Sequence, residues 1–234
     1  MALSHSPKIV TDGLVLCLDA GDGKSYSGSG TTWTDRSGSD YDGTLVNGAA
    51  FNSNDKSVEL DGTNDCIDLG SDITIKTSGG WTVDSWVNYD NVPASYNNTT
   101  APGNFIGAQS ISYNSWYWSA LSNKLALWNI SPGTWRYGST TLQANTWYNA
   151  VLVCQDSGTS YQMYLNGVAE GGNHTTYASW SASHSGLKIR WIGRGSTGNP
   201  RQVDGAFATT RAYNRVLTAS EVLQNYNATK GRFS

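Results

Sequence analysis

Charged residues are scarce in this chain, and their scarcity excludes several kinds of partner. Only 14% of the 234 residues are Asp, Glu, Lys or Arg, against about 25% in an average globular domain. The formal net charge is −3 and the Lys and Arg residues are scattered, whereas binding to a phosphate backbone needs clustered positive charge. We therefore expect no nucleic-acid partner.

Long apolar runs are missing as well. No segment approaches the roughly 20 apolar residues that span a bilayer, so we expect no membrane partner. Residues Met1 to Pro7 lack the charged-then-apolar pattern of a signal peptide. We expect no ordinary secretion signal.

Cysteine is represented only by Cys17, Cys66 and Cys154, which are widely spaced and cannot all pair. No Cys-x-x-Cys motif or other transition-metal spacing occurs. Cys17 and Cys154 lie within apolar runs, which predicts small buried side chains. Free thiols are typical of folding in a reducing compartment.

Instead of charged residues, the chain is rich in Gly, Ser, Thr and Asn and contains 10 Trp and 13 Tyr. This composition is typical of a protein with many strands and turns. Trp81–Tyr89 alternates, with Trp81 and Val83 on one side and Asp84 and Trp86 on the other. Asn166-Gly167 is a strong two-residue hairpin signal. Further strands are predicted at Leu14–Ala20, Ser57–Asp61, Cys66–Leu69, Trp147–Cys154, Tyr161–Leu165, Leu187–Gly193 and Ala206–Tyr213.

The pattern changes near the C-terminus. Thr218 and Glu221 form a capping box, and Val222, Leu223 and Tyr226 follow as a short apolar stripe. This predicts one short helix packed on the edge of a β-sandwich. No linker or internal repeat is evident, so residues 1–234 are predicted to form a single domain.

Two stretches carry a family resemblance. The first runs from Gly13 through Leu45 and continues at Val58–Asp65, and the second is Arg211–Tyr226. Together they closely resemble the laminin G-like domains of the concanavalin A-like lectin/glucanase superfamily. The resemblance implies an all-β fold, a concanavalin A-like jelly-roll β-sandwich of two antiparallel sheets with a short C-terminal helix. The chain is particularly similar to domains encoded by marine and cyanobacterial bacteriophages, which implies a component of the virion surface.

The sequence contains few of the residue patterns that catalysis requires. Glycoside hydrolysis needs two carboxylates about 5–9 Å apart, and Glu59 and Asp61 are the only pair with suitable spacing on a predicted strand. Asp61, however, leads directly into the turn Gly62-Thr63-Asn64. No Gly-x-Ser-x-Gly elbow is present. We therefore expect no enzymatic activity, and a glycoside hydrolase is the least favoured alternative.

One turn has the residue types of a calcium site, and no other cofactor is expected. Calcium binds six to eight oxygens from carboxylates, amides and carbonyls, and Asp61, Asn64 and Asp65 cluster there. The same residue types also form turns without any metal. Both interpretations remain open at this point.

The surplus of aromatic residues gives the main candidate site. Six of them lie in the middle of the chain, outside the motifs that carry the resemblance: Trp116, Tyr117, Trp118, Trp128, Trp135 and Tyr137. They fit three interpretations, namely core packing, a subunit interface or a platform for sugar rings. Strand alternation requires that some of the residues at 116–118 point inward.

The sequence thus favours a non-enzymatic virion structural protein, either a capsid decoration or a tail-associated protein, with glycan binding as an additional capacity. Its partners would be other virion proteins and a glycan of the host surface. It would assemble in the host cytoplasm, as a homo-oligomer or as multivalent copies on the particle. The alternative is a carbohydrate-binding or adhesion module that works extracellularly or at a cell surface.

Overall fold

The computed structural model describes residues 7–76, 79–94, 103–108, 116–129, 134–155, 160–175, 187–196 and 201–233. Within these ranges the strands are β1 (Leu14–Asp19), β2 (Thr32–Trp33), β3 (Gly43–Val46), β4 (Ala50–Asn52), β5 (Ser57–Asp61), β6 (Cys66–Lys76), β7 (Trp81–Tyr89), β8 (Ile106–Gly107), β9 (Trp116–Leu121), β10 (Lys124–Asn129), β11 (Thr134–Tyr137), β12 (Trp147–Cys154), β13 (Ser160–Leu165), β14 (Val168–Thr175), β15 (Leu187–Ile192) and β16 (Asp204–Tyr213). Helix α1 (Ala219–Thr229) follows, and a 3-10 turn covers Lys230–Arg232. None of the described helices is long and apolar enough to cross a bilayer.

The strands form two antiparallel layers. The back sheet has the order β14-β13-β12-β7-β16-β5-β4, with β1 also paired to β16. The front sheet begins with β2-β3-β6-β15-β8 and continues into β9-β10-β11. The two parts of the front sheet are joined by a bridge between Asn104 and Ser119 and by a 2.9 Å hydrogen bond from the Phe105 amide to the Trp118 carbonyl.

The core lies between the two sheets and is dense in aromatic rings. Phe105 of the front sheet contacts the rings of Tyr89 and Phe207, which belong to the back sheet. Trp118 packs edge-on against Phe105 from the front side. These contacts confirm the β-sandwich that the sequence predicts.

Alternation along β7 divides its side chains as the sequence predicts. Trp81 and Val83 belong to the core between the sheets. Asp84, in contrast, lies on the outer side of the back sheet and is fully buried there. It accepts hydrogen bonds from the Asn149 and Asn225 amides and pairs with Arg211 at 3.3 Å.

Helix α1 provides the cover over these groups. The capping box at Thr218 and Glu221 is formed as expected. The helix packs on the outer face of the back sheet rather than on its edge, because Val151, Val153 and Tyr164 form an apolar surface there that contacts Val222. Leu223, expected in the apolar stripe, is 44% exposed.

The three cysteines are buried and unpaired, as the apolar sequence context predicts. Burial raises the pKa of each thiol, most strongly for Cys154, whose pKa is about 12. At neutral pH all three therefore remain protonated, and they pack as small apolar side chains.

Candidate functional site

The candidate aromatic residues lie on the three strands at one side of the front sheet. Strands β9 and β10 form a hairpin whose two connecting residues, Ser122 and Asn123, both have positive φ, at 54° and 55°. Such backbone geometry matches the twist of the flanking strands. β11 pairs with the other side of β10.

Cross-strand pairing divides the predicted site residues between two faces. Trp118 pairs with Leu127, and both are buried in the core between the sheets. The prediction of Trp118 as a surface site residue is therefore wrong, because its ring packs against Phe105 instead. Trp116 pairs with Asn129 through the backbone, but its side chain lies outside the described part of the structure.

The remaining four residues form what we call the aromatic row: Tyr117, Trp128, Trp135 and Tyr137. Tyr117 pairs with Trp128 and Trp128 pairs with Trp135, so their side chains share one face. This face points away from the core, because the alternating residues Trp118 and Leu127 point into it.

The rings of the row are close to one another. The centroids of Trp128 and Trp135 are 5.3 Å apart, and those of Trp135 and Tyr137 are 6.5 Å apart with an interplanar angle of 26°. The second distance is about the advance of two residues along a strand, so these two rings are neighbours along β11. Trp128 and Trp135 are half-buried, and Tyr137 is 37% exposed.

The opposite end of the row is covered. Tyr117 is buried, and the guanidinium carbon of Arg201 lies 4.6 Å from the centre of its ring. The Arg201 carbonyl accepts a 2.9 Å hydrogen bond from the Asn104 amide. The accessible part of the row therefore consists of Trp128, Trp135 and Tyr137.

A carboxylate from the back sheet holds the chain that follows the row. Glu170 of β14 accepts four hydrogen bonds: from the Ser139 amide (2.6 Å) and hydroxyl (3.0 Å), and from the Thr140 amide (2.8 Å) and hydroxyl (2.6 Å). Burial raises the pKa of Glu170, but the hydrogen bonds from Thr140 and Ser139 outweigh it, so that the net pKa lies below its usual value. The carboxylate is thus ionised at neutral pH and fixes the end of β11.

The proposed calcium ligands have other partners within the protein. The buried Asp65 carboxylate accepts hydrogen bonds from the amides of Gly48 (2.7 Å) and Asp61 (3.2 Å). Asp61 accepts from the amides of Thr63 and Asn64 and so caps its own turn. Among the described residues, no group of three or more His, Cys, Asp and Glu side chains is arranged to hold a metal ion. Calcium binding at this turn stays a prediction.

The carboxylate pair considered for hydrolysis is remote from the aromatic row. Glu59 and Asp61 are exposed on β5 of the back sheet, whereas the row belongs to the front sheet. Glu59 accepts a hydrogen bond from the Asn52 amide, and Asp61 is engaged by its turn. The structure does not bring these carboxylates to the aromatic row.

The sequence offers no signal for two residues that shape this region. Glu170 and Thr140 are 30 positions apart, and Arg201 reaches Tyr117 across 84 positions (201 − 117). Such contacts depend on the arrangement of the strands. They have no local sequence pattern.

Known structures share the fold at low sequence identity. The Trypanosoma rangeli sialidase is 16% identical with a TM-score of 0.62, over 99% of this chain and 36% of that chain. Domain 4 of AbnA, a GH43 extracellular arabinanase from Geobacillus stearothermophilus solved in complex with arabinotriose, is 18% identical with a TM-score of 0.63, over 91% of this chain and 98% of that domain.

The chain therefore spans about a third of the sialidase but nearly the whole of the arabinanase domain. No curated protein sequence gives a significant match to this chain. Residues 61–223 match the family model Laminin_G_3, described as concanavalin A-like lectin/glucanases superfamily. Since the match covers more than half of the chain, the protein belongs to this family.

Proposed function

We propose that this protein is a non-catalytic carbohydrate-binding domain whose ligand lies along Trp128, Trp135 and Tyr137. The observation that carries the proposal is the position of these three rings, side by side and accessible on the outer face of a sheet. Neighbouring aromatic rings that lie outside the core cluster and stay partly accessible form an apolar surface of the kind that marks binding sites.

The chemistry of the row suits a sugar chain. An indole or phenol ring offers a flat apolar face, which matches the C–H face of a pyranose or furanose ring. Binding sites for small molecules generally combine such apolar surface with a few polar groups that fix orientation. The AbnA domain, solved with arabinotriose, supports the proposal because a sandwich of similar fold is there described with an oligosaccharide.

The absence of catalysis is part of the proposal. Glu59 and Asp61 are engaged in hydrogen bonds on the back sheet, and the row has neither carboxylate beside it. A ligand held on the row would therefore not meet the pair of carboxylates that glycoside hydrolysis requires.

The proposed setting is the surface of a bacteriophage particle, as a capsid decoration or tail-associated protein that binds a host glycan. The similarity of Gly13–Leu45 and Arg211–Tyr226 to phage-encoded domains supports this setting. Many copies on one particle would convert weak contacts into strong attachment. Mass spectrometry of purified particles tests the setting, and a protein missing from particles whose genome encodes it would contradict it.

Glycan-array binding of the isolated protein, presented as multivalent copies, tests the binding function. Trp135→Ala is the informative variant, since one indole buried against a flat ligand contributes about 1–3 kcal/mol, equivalent to a loss of about five- to 150-fold in affinity. Trp147→Ala is the matched control, because Trp147 is also half-buried but contacts Phe233 on the back sheet. A wild-type protein that binds no glycan, or a Trp135→Ala variant that binds as tightly as the wild type, would refute the proposal.

A further inference from the structure

A cleft of about 310 Å³ opens at one end of the sandwich. Three segments form it: the residues that follow β7 (Asn91 and Val92), Asn123 in the β9–β10 turn, and residues 141–144 between β11 and β12. Its volume is near the lower end of the range for small-molecule sites. None of the features discussed for the aromatic row includes these residues.

Backbone hydrogen bonds hold the walls of the cleft together. The Asn123 amide donates to the Pro93 carbonyl (3.2 Å), and the Asn123 carbonyl accepts from the Leu142 amide (2.7 Å). The Gln143 amide donates to the Tyr148 hydroxyl at 2.9 Å. These hydrogen bonds fix the shape of the cleft before any ligand binds, and such preorganisation lowers the entropic cost of binding.

The lining has a specific chemical character. Its polar side chains are the amides of Asn91, Asn123 and Gln143 and the hydroxyl of Thr141, and none of the described lining residues is charged. The Asn91 amide already donates a 2.8 Å hydrogen bond to the Asp204 carboxylate. Amide and hydroxyl groups each provide both donors and acceptors, as the hydroxyl groups of a sugar do. Leu142 itself is buried and packs into the core between the sheets, so it anchors this wall of the cleft. An anionic ligand would meet no positive charge among the described lining residues.

The cleft lies at the Tyr137 end of the aromatic row. Tyr137 pairs with Ala126, and β10 begins at Lys124, next to Asn123 and two residues before Ala126, which is about 7 Å along the strand. From Tyr137 the chain passes through Ser139 and Thr140, which Glu170 holds, directly to Thr141 in the cleft wall. One short oligosaccharide is long enough to contact both.

We infer that this cleft is a second binding site for carbohydrate, which takes one neutral sugar ring of the same chain that stacks on the aromatic row. The inference rests on the proposed function. The row would provide affinity with little discrimination. The cleft would determine which sugar is accepted, because its amides and hydroxyl recognise the positions of individual hydroxyl groups.

The test is calorimetric binding of neutral oligosaccharides of increasing length to the full chain. Thr141→Val and Gln143→Leu keep the side-chain shapes but remove two hydrogen-bonding groups, and both residues are exposed, which favours normal folding. Together they should weaken binding about thirty-fold, since each lost hydrogen bond, at about 1 kcal/mol, contributes about five- to sixfold. Gln155→Leu, an exposed glutamine outside the cleft, is the matched control and should bind like the wild type.

The outcomes separate the inference from the proposed function. If Trp135→Ala loses binding while the Thr141→Val/Gln143→Leu variant matches the wild type, the cleft is not a sugar site and the row alone binds. If the double variant loses binding while Trp135→Ala retains it, the cleft is confirmed and the row is refuted. A preference of the wild type for acidic over neutral sugars would overturn the assignment of the ligand class.

Discussion

Substitution of Glu170 tests whether the back sheet stabilises the segment that follows β11 of the front sheet. The Glu170 carboxylate accepts four hydrogen bonds, from Ser139 and Thr140, between the aromatic row and the cleft. A hydrogen bond to a charged group contributes about 1.5–3 kcal/mol. Ser139 and Thr140 are exposed, so in Glu170→Ala their donors regain water. We therefore expect a loss of about 2–4 kcal/mol in the free energy of unfolding, well below the sum of four bonds.

Glu170→Gln should be milder, at about 1 kcal/mol, because the amide oxygen can still accept from both backbone amides, while the new NH2 group requires the Thr140 hydroxyl to turn and accept. Chemical denaturation measures both variants, and glycan binding should weaken more in Glu170→Ala than in Glu170→Gln. Glu59→Ala is the control: Glu59 is exposed and accepts a hydrogen bond from the Asn52 side chain, and its loss should change stability by less than about 0.5 kcal/mol. If Glu170→Ala lowers the free energy of unfolding by as little as the control does, the four hydrogen bonds of Glu170 do not hold this segment in place.

Three further results are expected. Asp84→Ala should lower the free energy of unfolding by about 3–5 kcal/mol, because it leaves the buried Arg211 without its counter-charge; a loss below about 1 kcal/mol would contradict the assignment. The control Asp84→Leu/Arg211→Met should recover only part of the stability, because the buried Asn149 and Asn225 amides still lose an acceptor. The melting temperature should be the same with and without a calcium chelator, since the Asp65 carboxylate is occupied by backbone amides; a fall of several degrees would instead support the calcium site. The hydrogen bond from Arg215 lowers the pKa of Glu221 from 4.5 to about 2, so its stabilisation is present above about pH 4.5 and is lost as the pH falls towards 2. After allowance for solvent screening it amounts to about 1 kcal/mol or less, and the stability difference between wild type and Glu221→Gln should disappear near pH 2; a difference that persists there would refute the role of the charge.

The sequence predicts the parts of the fold that depend on local patterns. The alternation of Trp81–Tyr89 places Asp84 outside the core between the sheets, as observed. Asn166 and Gly167 have the positive φ angles, 51° and 79°, that their hairpin requires. The capping box at Thr218 likewise begins the helix where expected.

The candidate site is less predictable because its geometry depends on strand pairing. Alternation shows that Tyr117 and Trp118 point in opposite directions, but only the pairing of Trp118 with Leu127 shows which of the two enters the core. The connection at Ser122-Asn123 is a weaker hairpin signal than Asn-Gly. Arg201 covers Tyr117 through a contact between distant parts of the chain, which no local pattern indicates.

The polar network beneath helix α1 also holds the segments next to both described ends of the chain. The Val10 amide donates to Asn225 and the Val10 carbonyl accepts from Tyr213, while Phe233 stacks on Trp86. Both described ends of the chain are thereby fastened to the back sheet, on the side opposite the aromatic row. The outer face of the back sheet is thus occupied by other parts of the described chain, whereas Trp128, Trp135 and Tyr137 stay accessible on the outer face of the front sheet, so the two outer faces of the sandwich are not equivalent.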